Sequence, residues 1–212
     1  VTPDALDDAL AAVAGLDPGA ERLVVGITGP PGAGKSTLAT ALATALCAHA
    51  GGDAAVAVPM DGFHLSNTEL RRLGLSDRKG APETFDAAGF VQLLRRLRAR
   101  EELVYAPAYS RVLHESIGGV IPVYASVRVV LVEGNYLLLD GGAWAGVRPL
   151  LDLAMYLDAP DRSRTAALLR RQRARGLDDA SARDWVYRSD EANAALIART
   201  RSRADVVLSR GA

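Results

Sequence analysis

One stretch, Gly29-Pro30-Pro31-Gly32-Ala33-Gly34-Lys35-Ser36-Thr37, restricts what this chain can fold into more than any other. It follows a short apolar run, Arg22–Thr28 (RLVVGIT), which reads as a buried strand. It leads into Lys35–Ala48, where Leu38, Ala41, Leu42, Ala45 and Leu46 recur at helical spacing. A G-x-x-x-x-G-K-[ST] run between a strand and a helix is a phosphate-binding loop. Gly29, Gly32 and Gly34 let the backbone bend with its N–H groups turned inward. Those donors and the helix N-terminus suit phosphate oxygens. Lys35 adds a charge for the β- and γ-phosphates, and the Ser36 hydroxyl suits Mg²⁺. Gly29 to Thr37 is therefore expected to hold a nucleoside triphosphate, ATP by prior expectation, with Mg²⁺ on Ser36.

The rest of the chain supplies a setting for such a loop. Its 212 residues are enough for one domain over 1–212. Residues 4–14 read as an amphipathic helix ended by Gly15, Pro18 and Gly19. Further strands are expected at 54–60, 127–132, 154–157 and 205–209, and helices at 87–100, 161–175 and 180–203. This alternation predicts an α/β fold with a parallel sheet and helices on both faces. Residues 103–125, broken by Pro107, Gly118, Gly119 and Pro122, read as extended segments around a turn. Charges balance at 25 basic and 25 acidic residues, which gives no footprint for nucleic acid or membrane. Cys47 is the single cysteine and is expected to pack in a helix; with no disulfide available, a cytoplasmic location is the default.

Two acids end predicted strands on the rim where the loop lies. Asp61, in Pro59-Met60-Asp61-Gly62-Phe63-His64, can take the proton that a hydroxyl acceptor sheds. A phosphate acceptor is already ionised and needs no such base, so Asp61 favours an alcohol; the plain alternative is a turn cap. Glu133, ending Val127–Val132, has the position of a carboxylate that holds Mg²⁺, or of a salt-bridge partner for Lys35. His64 either orients substrate or bonds to its own loop, and His114 is a substrate-side candidate. Arg162, Arg164, Arg170, Arg171, Arg173 and Arg175 crowd one predicted helix. They read either as a charged surface or as a lid over about 161–178 that closes on the phosphates, with Arg173 first and Arg170 second as the catalytic contacts and Gly176 as a hinge.

Taken in order, GPPGAGKST, PMDGFH, KGAPETFD (Lys79–Asp86), YAPAYSR (Tyr105–Arg111), VLVEGNYLLL (Val130–Leu139), the arginine-rich segment and RADVVL resemble the phosphoribulokinase/uridine kinase/type I pantothenate kinase group. They are most similar to bacterial kinase-like proteins described as fructose transport system kinases. The resemblance implies a P-loop NTPase three-layer sandwich: a five-stranded parallel sheet with helices on both faces, a small lid and an extended acceptor-side insertion at about 103–125. It implies a catalytic Asp at Asp61 and an acceptor pocket lined by Phe85, Asp86, Tyr109 and Arg111, whose plain roles would be core, surface and strand. It places Arg188–Asn193 near the adenine. The expected activity is ATP-dependent phosphorylation of a small-molecule hydroxyl, foremost on a sugar or sugar-like alcohol, with pantothenate-like and nucleoside acceptors behind it. A homodimer is common in this architecture. Asp-Gly-Phe-His departs from the D-x-F-Y usual in uridine kinases, and the larger N-terminal region of pantothenate kinases is missing from this sequence. A switch ATPase or GTPase is the other class to weigh; the Asn-Lys-x-Asp and Leu-Ser-Gly-Gly signatures of two such groups do not occur.

Overall fold

The computed structural model describes residues 2–16 and 22–209, so the Pro18 and Gly19 expected to end the first helix lie outside the described residues. In chain order the main elements are α1 (Pro3–Ala14), β1 (Leu23–Thr28), α2 (Lys35–Ala50), β2 (Ala55–Pro59), α3 (Asn67–Arg72), α4 (Ala87–Arg98), β3 (Leu103–Ser110), β4 (Glu115–Tyr124) and β5 (Val129–Glu133). They continue as β6 (Leu153–Asp158), α5 (Asp161–Ala174), α6 (Asp179–Trp185), α7 (Glu191–Ala198) and β7 (Val206–Ser209).

The strands of the main sheet are apolar throughout because both of their faces are covered. Val24, Val130, Val132, Ala154 and Tyr156 point into one core with α4, Tyr136 and Trp144. Their neighbours Val25, Ile27, Leu131, Met155 and Leu157 point into the other, with α1 and α2. This period of two makes a three-layer α/β sandwich. The five strands run in the order β2-β5-β1-β6-β7, every pairing parallel. Among the described residues no helix is long and apolar enough to cross a membrane.

The expected extended insertion is an antiparallel hairpin of β3 and β4, irregular between Ala106 and Ala108. Two local differences from the sequence reading have plain causes. α3 was not expected, yet Ser66 caps it by accepting the Glu69 N–H, a Ser-x-x-Glu signal in the sequence. The expected helix over 180–203 is broken into α6, a π-helical turn (Val186–Asp190) and α7, the turn leaving Val186 and Asp190 both buried. Cys47 is half-buried, with its sulfur against the Ala55 backbone.

Candidate active site

The phosphate loop leaves β1 and enters α2 through Gly34, whose φ of 100° is a conformation glycine tolerates and other residues resist. Gly32, at φ 80°, also lets the lid helix approach: a Cβ there would lie 2.7 Å from the Arg164 carbonyl oxygen. Gly29 passes against the Leu157 backbone in the same way. Lys35 is only 8% exposed and donates to the Pro30 carbonyl at 3.0 Å. Burial brings its pKa down to about 8, with Glu133 and Asp61 pulling it up and Arg171 and Arg164 pushing it down. Ser36 Oγ donates to Glu133 Oε1 at 2.8 Å. Burial, then the nearby Asp61 charge, raises the Glu133 carboxyl above the usual range; Lys35 and the Ser36 bond oppose the rise.

Strand register brings Asp61 to this cradle. Glu133 of β5 is level with Ile27 of β1 on one side and Pro59 of β2 on the other. The chain then turns through Met60–Phe63, so Asp61 and Glu133 lie on the same rim. Both line one cavity of about 680 Å³ with Lys35, Ser36 and Thr37. The Asp-Gly pair is not a left-handed turn: Gly62 is glycine because the Pro107 carbonyl of β3 sits where a Cβ would be. His64 Nδ1 lies 2.8 Å from the Asp61 carbonyl oxygen, which can only accept, so Nδ1 carries the proton. Burial lowers the His64 pKa against the pull of Asp61, so the ring is neutral at pH 7 with its lone pair on Nε2. His64 thus bonds to its own loop and also lines the cavity.

The cavity also has an aromatic wall. The His64 ring lies 4.0 Å from Phe85 and 4.7 Å from Tyr109, centroid to centroid. Lys79 sits over the Tyr109 ring at 5.2 Å and donates to Asn67 Oδ1 and the His114 carbonyl. Phe85 is a core residue as well, edge-on to Tyr136 and Trp144. Arg111 and His114, from the hairpin turn, line the cavity too.

Comparison with known proteins is decisive about family. The model of the Phosphoribulokinase / Uridine kinase family matches residues 24–212. The chain belongs to that family. A Schizosaccharomyces pombe protein provisionally named as a uridine kinase is 32% identical over 197 residues, 89% of this chain and 83% of its own length. A pantothenate kinase of Leifsonia xyli is 34% identical over 145 residues, which are 68% of this chain and 45% of that enzyme. A crystal structure from Silicibacter sp. TM1040, provisionally described as a fructose transport system kinase, superposes with a TM-score of 0.87 at 40% identity, over 95% of this chain and 98% of that one. Membership of the phosphoribulokinase/uridine kinase family makes this chain a P-loop kinase of small molecules, dependent on ATP.

Within this family scaffold two placements correct the sequence reading. Arg173 pairs with Asp179 at 2.6 Å, and neither it nor Arg170 lines the cavity; Arg171 and Arg175 do. Helix phase is the reason: Arg164, Leu168 and Gln172 form the buried row of α5, and Arg171 and Arg175 flank its inner edge. Asp86 does not face the cavity; it caps α4, accepting the Gly89 N–H at 2.8 Å. Arg188–Asn193, expected near the adenine, packs against the Lys79–Gly80 side: Asn193 Nδ2 donates to the Gly80 carbonyl at 3.3 Å and Arg188 to that of Asp77 at 3.4 Å. Gly29, Pro30 and Ala33 shape the loop without lining the cavity, whereas Pro31, Gly32 and Gly34 line it.

Lys79, Arg171, Arg175, Asp190 and Asn193 entered the sequence reading only as members of motifs or segments, without a role of their own, and Trp185 was not named in it; all line the cavity. The i, i+4 spacing of Arg171 and Arg175 was a usable signal. Among the described residues no group of three or more His, Cys, Asp or Glu side chains could hold a metal. That does not count against Mg²⁺, which needs one or two protein oxygens and takes the rest from water and phosphates. Ser36 Oγ beside Glu133 is such a pair of hard oxygen donors.

Proposed function

We propose that this chain transfers the γ-phosphoryl group of ATP to a hydroxyl of a sugar or sugar-like alcohol. One observation carries the reading: the Asp61 carboxylate, the Lys35–Ser36 cradle and a cluster of aromatic rings with a few polar groups line a single cavity. Such a cluster covers the C–H face of a polyol while side-chain polar atoms select its hydroxyls.

The turn of backbone N–H groups at Gly32–Lys35 would hold the phosphates, with Lys35 neutralising charge toward the γ-position. The acceptor hydroxyl would lie within reach of Asp61, which takes its proton as the new O–P bond forms and the bond to the β,γ-bridging oxygen breaks. Arg171 and Arg175, from the lid helix, would offset charge in the transition state. Ser36 and Glu133 would hold Mg²⁺, which when bound neutralises phosphate charge and aligns the β- and γ-oxygens. His64, kept neutral by burial and fixed in orientation by its Nδ1 bond, would orient the acceptor without adding a charge beside Asp61.

The test is ADP release across a panel of alcohols, including D-fructose, D-ribose, pantothenate and uridine. A neutral polyol should raise turnover well above the basal rate. Asp61→Asn should lower that turnover by about 10²–10⁴-fold while nucleotide still binds. Wild-type turnover in Asp61→Asn would remove the base, and a panel with no stimulation would remove the alcohol acceptor.

A further inference from the structure

The cavity contains a buried carboxylate to which phosphoryl transfer assigns no task. Asp190 is 6% exposed and lines the cavity, and its Oδ2 is fully buried without a hydrogen-bond partner. Arg171, its nearest cation, is 4.0 Å from the other oxygen, at the limit of an ion pair. Burial raises the Asp190 carboxyl above its ordinary value, opposed by the Arg171 charge and by the nearby Gln172 amide, whose Nε2 has no partner of good geometry. Orphaned buried carboxylate oxygens are rare because desolvation is left uncompensated. Asp190 is also where it is because of an irregularity: it closes the π-helical turn Val186–Asp190, a feature found disproportionately at functional sites.

Contacts connect Asp190 to the acceptor wall. Asn193, one turn on, donates to the Gly80 carbonyl, which also accepts from Tyr136 Oη at 2.5 Å. Next along the chain, Lys79 lies over the ring of Tyr109, which stacks with His64. Asp61, this wall and Asp190 all line the one cavity. An acceptor lying along it would present one hydroxyl to Asp61 and a different donor to Asp190.

We infer that Asp190 is a specificity-determining residue that accepts a hydrogen bond from a second hydroxyl of the acceptor, so that the preferred substrate is a neutral polyol with at least one hydroxyl beyond the one phosphorylated. This rests on the alcohol-acceptor reading above. A carboxylate can only accept, so the group it selects must be a donor. A hydrogen bond to a charged, buried acceptor discriminates strongly, because an analogue lacking the donor leaves the carboxylate unpaired.

The experiment compares the best neutral polyol of the panel with its single-deoxy analogues, in wild type, Asp190→Ala and Asp190→Asn. In wild type one deoxy analogue should lose about 10- to 100-fold in kcat/KM. In Asp190→Ala the loss at that hydroxyl should shrink to less than about threefold, because parent and analogue then meet the same unpaired surface. Asp190→Asn keeps the volume and one carbonyl oxygen, so it covers a failure of the alanine variant to fold; there the ratio should fall to an intermediate value. The KM for ATP should stay within about twofold in both. A deoxy penalty that persists at every hydroxyl in both variants overturns the inference and leaves the alcohol-kinase reading standing. A fall shared equally by parent and deoxy acceptors also overturns it, since that is the mark of a structural role. If no neutral polyol stimulates wild type, the acceptor reading fails first and this inference with it.

Discussion

Lys35 is a cation held where little water reaches it, with a pKa of about 8. A lysine whose folded pKa lies below its ordinary value of 10.5 penalises the native state at low pH. The penalty is full below about 8 and is relieved as pH climbs to 10.5, because in that window the unfolded chain binds the extra proton. Nucleotide phosphates need the ammonium form, so ATP binding above pH 8 must bring a proton with it. The dissociation constant for ATP should therefore rise above pH 8, by up to about tenfold per pH unit. Calorimetric titrations at pH 8.5 in buffers of different ionisation enthalpy should show proton uptake, and Lys35→Arg, which stays charged, should bind with a flat profile. A flat wild-type profile from pH 7 to 9.5 would contradict the depressed pKa. At this scale the sequence was readable where chemistry demands a residue type in a fixed order: Lys35, Ser36, Asp61 and Glu133 sit together at the cavity. Lys79 and Asp190 lay in segments that the resemblance marked, but residue type and spacing gave neither a role, because a Lys or Asp in a polar stretch looks like any solvated side chain.

At the scale of elements, phase decides which arginine of the lid helix matters. The crowding of arginines over Arg162–Arg175 was visible in the sequence, but their facing was not, since α5 has only a weak apolar stripe to set it. Packing sets it instead: Arg164 is buried, paired with Asp161 and Glu191, and donates to the Pro31 carbonyl of the phosphate loop. Arg171→Ala is expected to lower kcat by about 10²–10³-fold with little change in melting temperature. Arg173→Ala, which breaks an exposed pair with Asp179, should stay within about threefold of wild type and lose less than about 1 kcal/mol of stability. Steady-state kinetics on the two variants separates them, and equal losses would mean the helix turns when it closes. Gly176 follows the helix at φ 90°, a conformation suited to a pivot for that closure.

At the scale of the molecule, the order β2-β5-β1-β6-β7 puts the ends of β2, β5 and β1 side by side, so three segments far apart in sequence share one rim. Arg22 helps hold that arrangement from below. It is 2% exposed and donates to the carbonyls of Val127, Leu97 and Tyr124, joining the start of β1 to the end of α4 and to the hairpin. Arg22→Met should cost about 1–3 kcal/mol, read from urea denaturation, because the buried Val127 carbonyl would lose its guanidinium donor, while those of Leu97 and Tyr124 keep a backbone N–H from Arg100 and Val127. A loss below about 1 kcal/mol would show that water replaces the guanidinium there. The amino-acid sequence by itself determined the phosphate loop, the alternation of strand and helix, the two strand-end acids and the family, because each depends on residue type and local spacing. Only the tertiary structure decided which arginines of α5 face inward, that Asp86 is a helix cap, and that Asn193 bonds to Gly80. Those outcomes depend on helix phase and on contacts between segments up to 133 positions apart, and no local pattern encodes them.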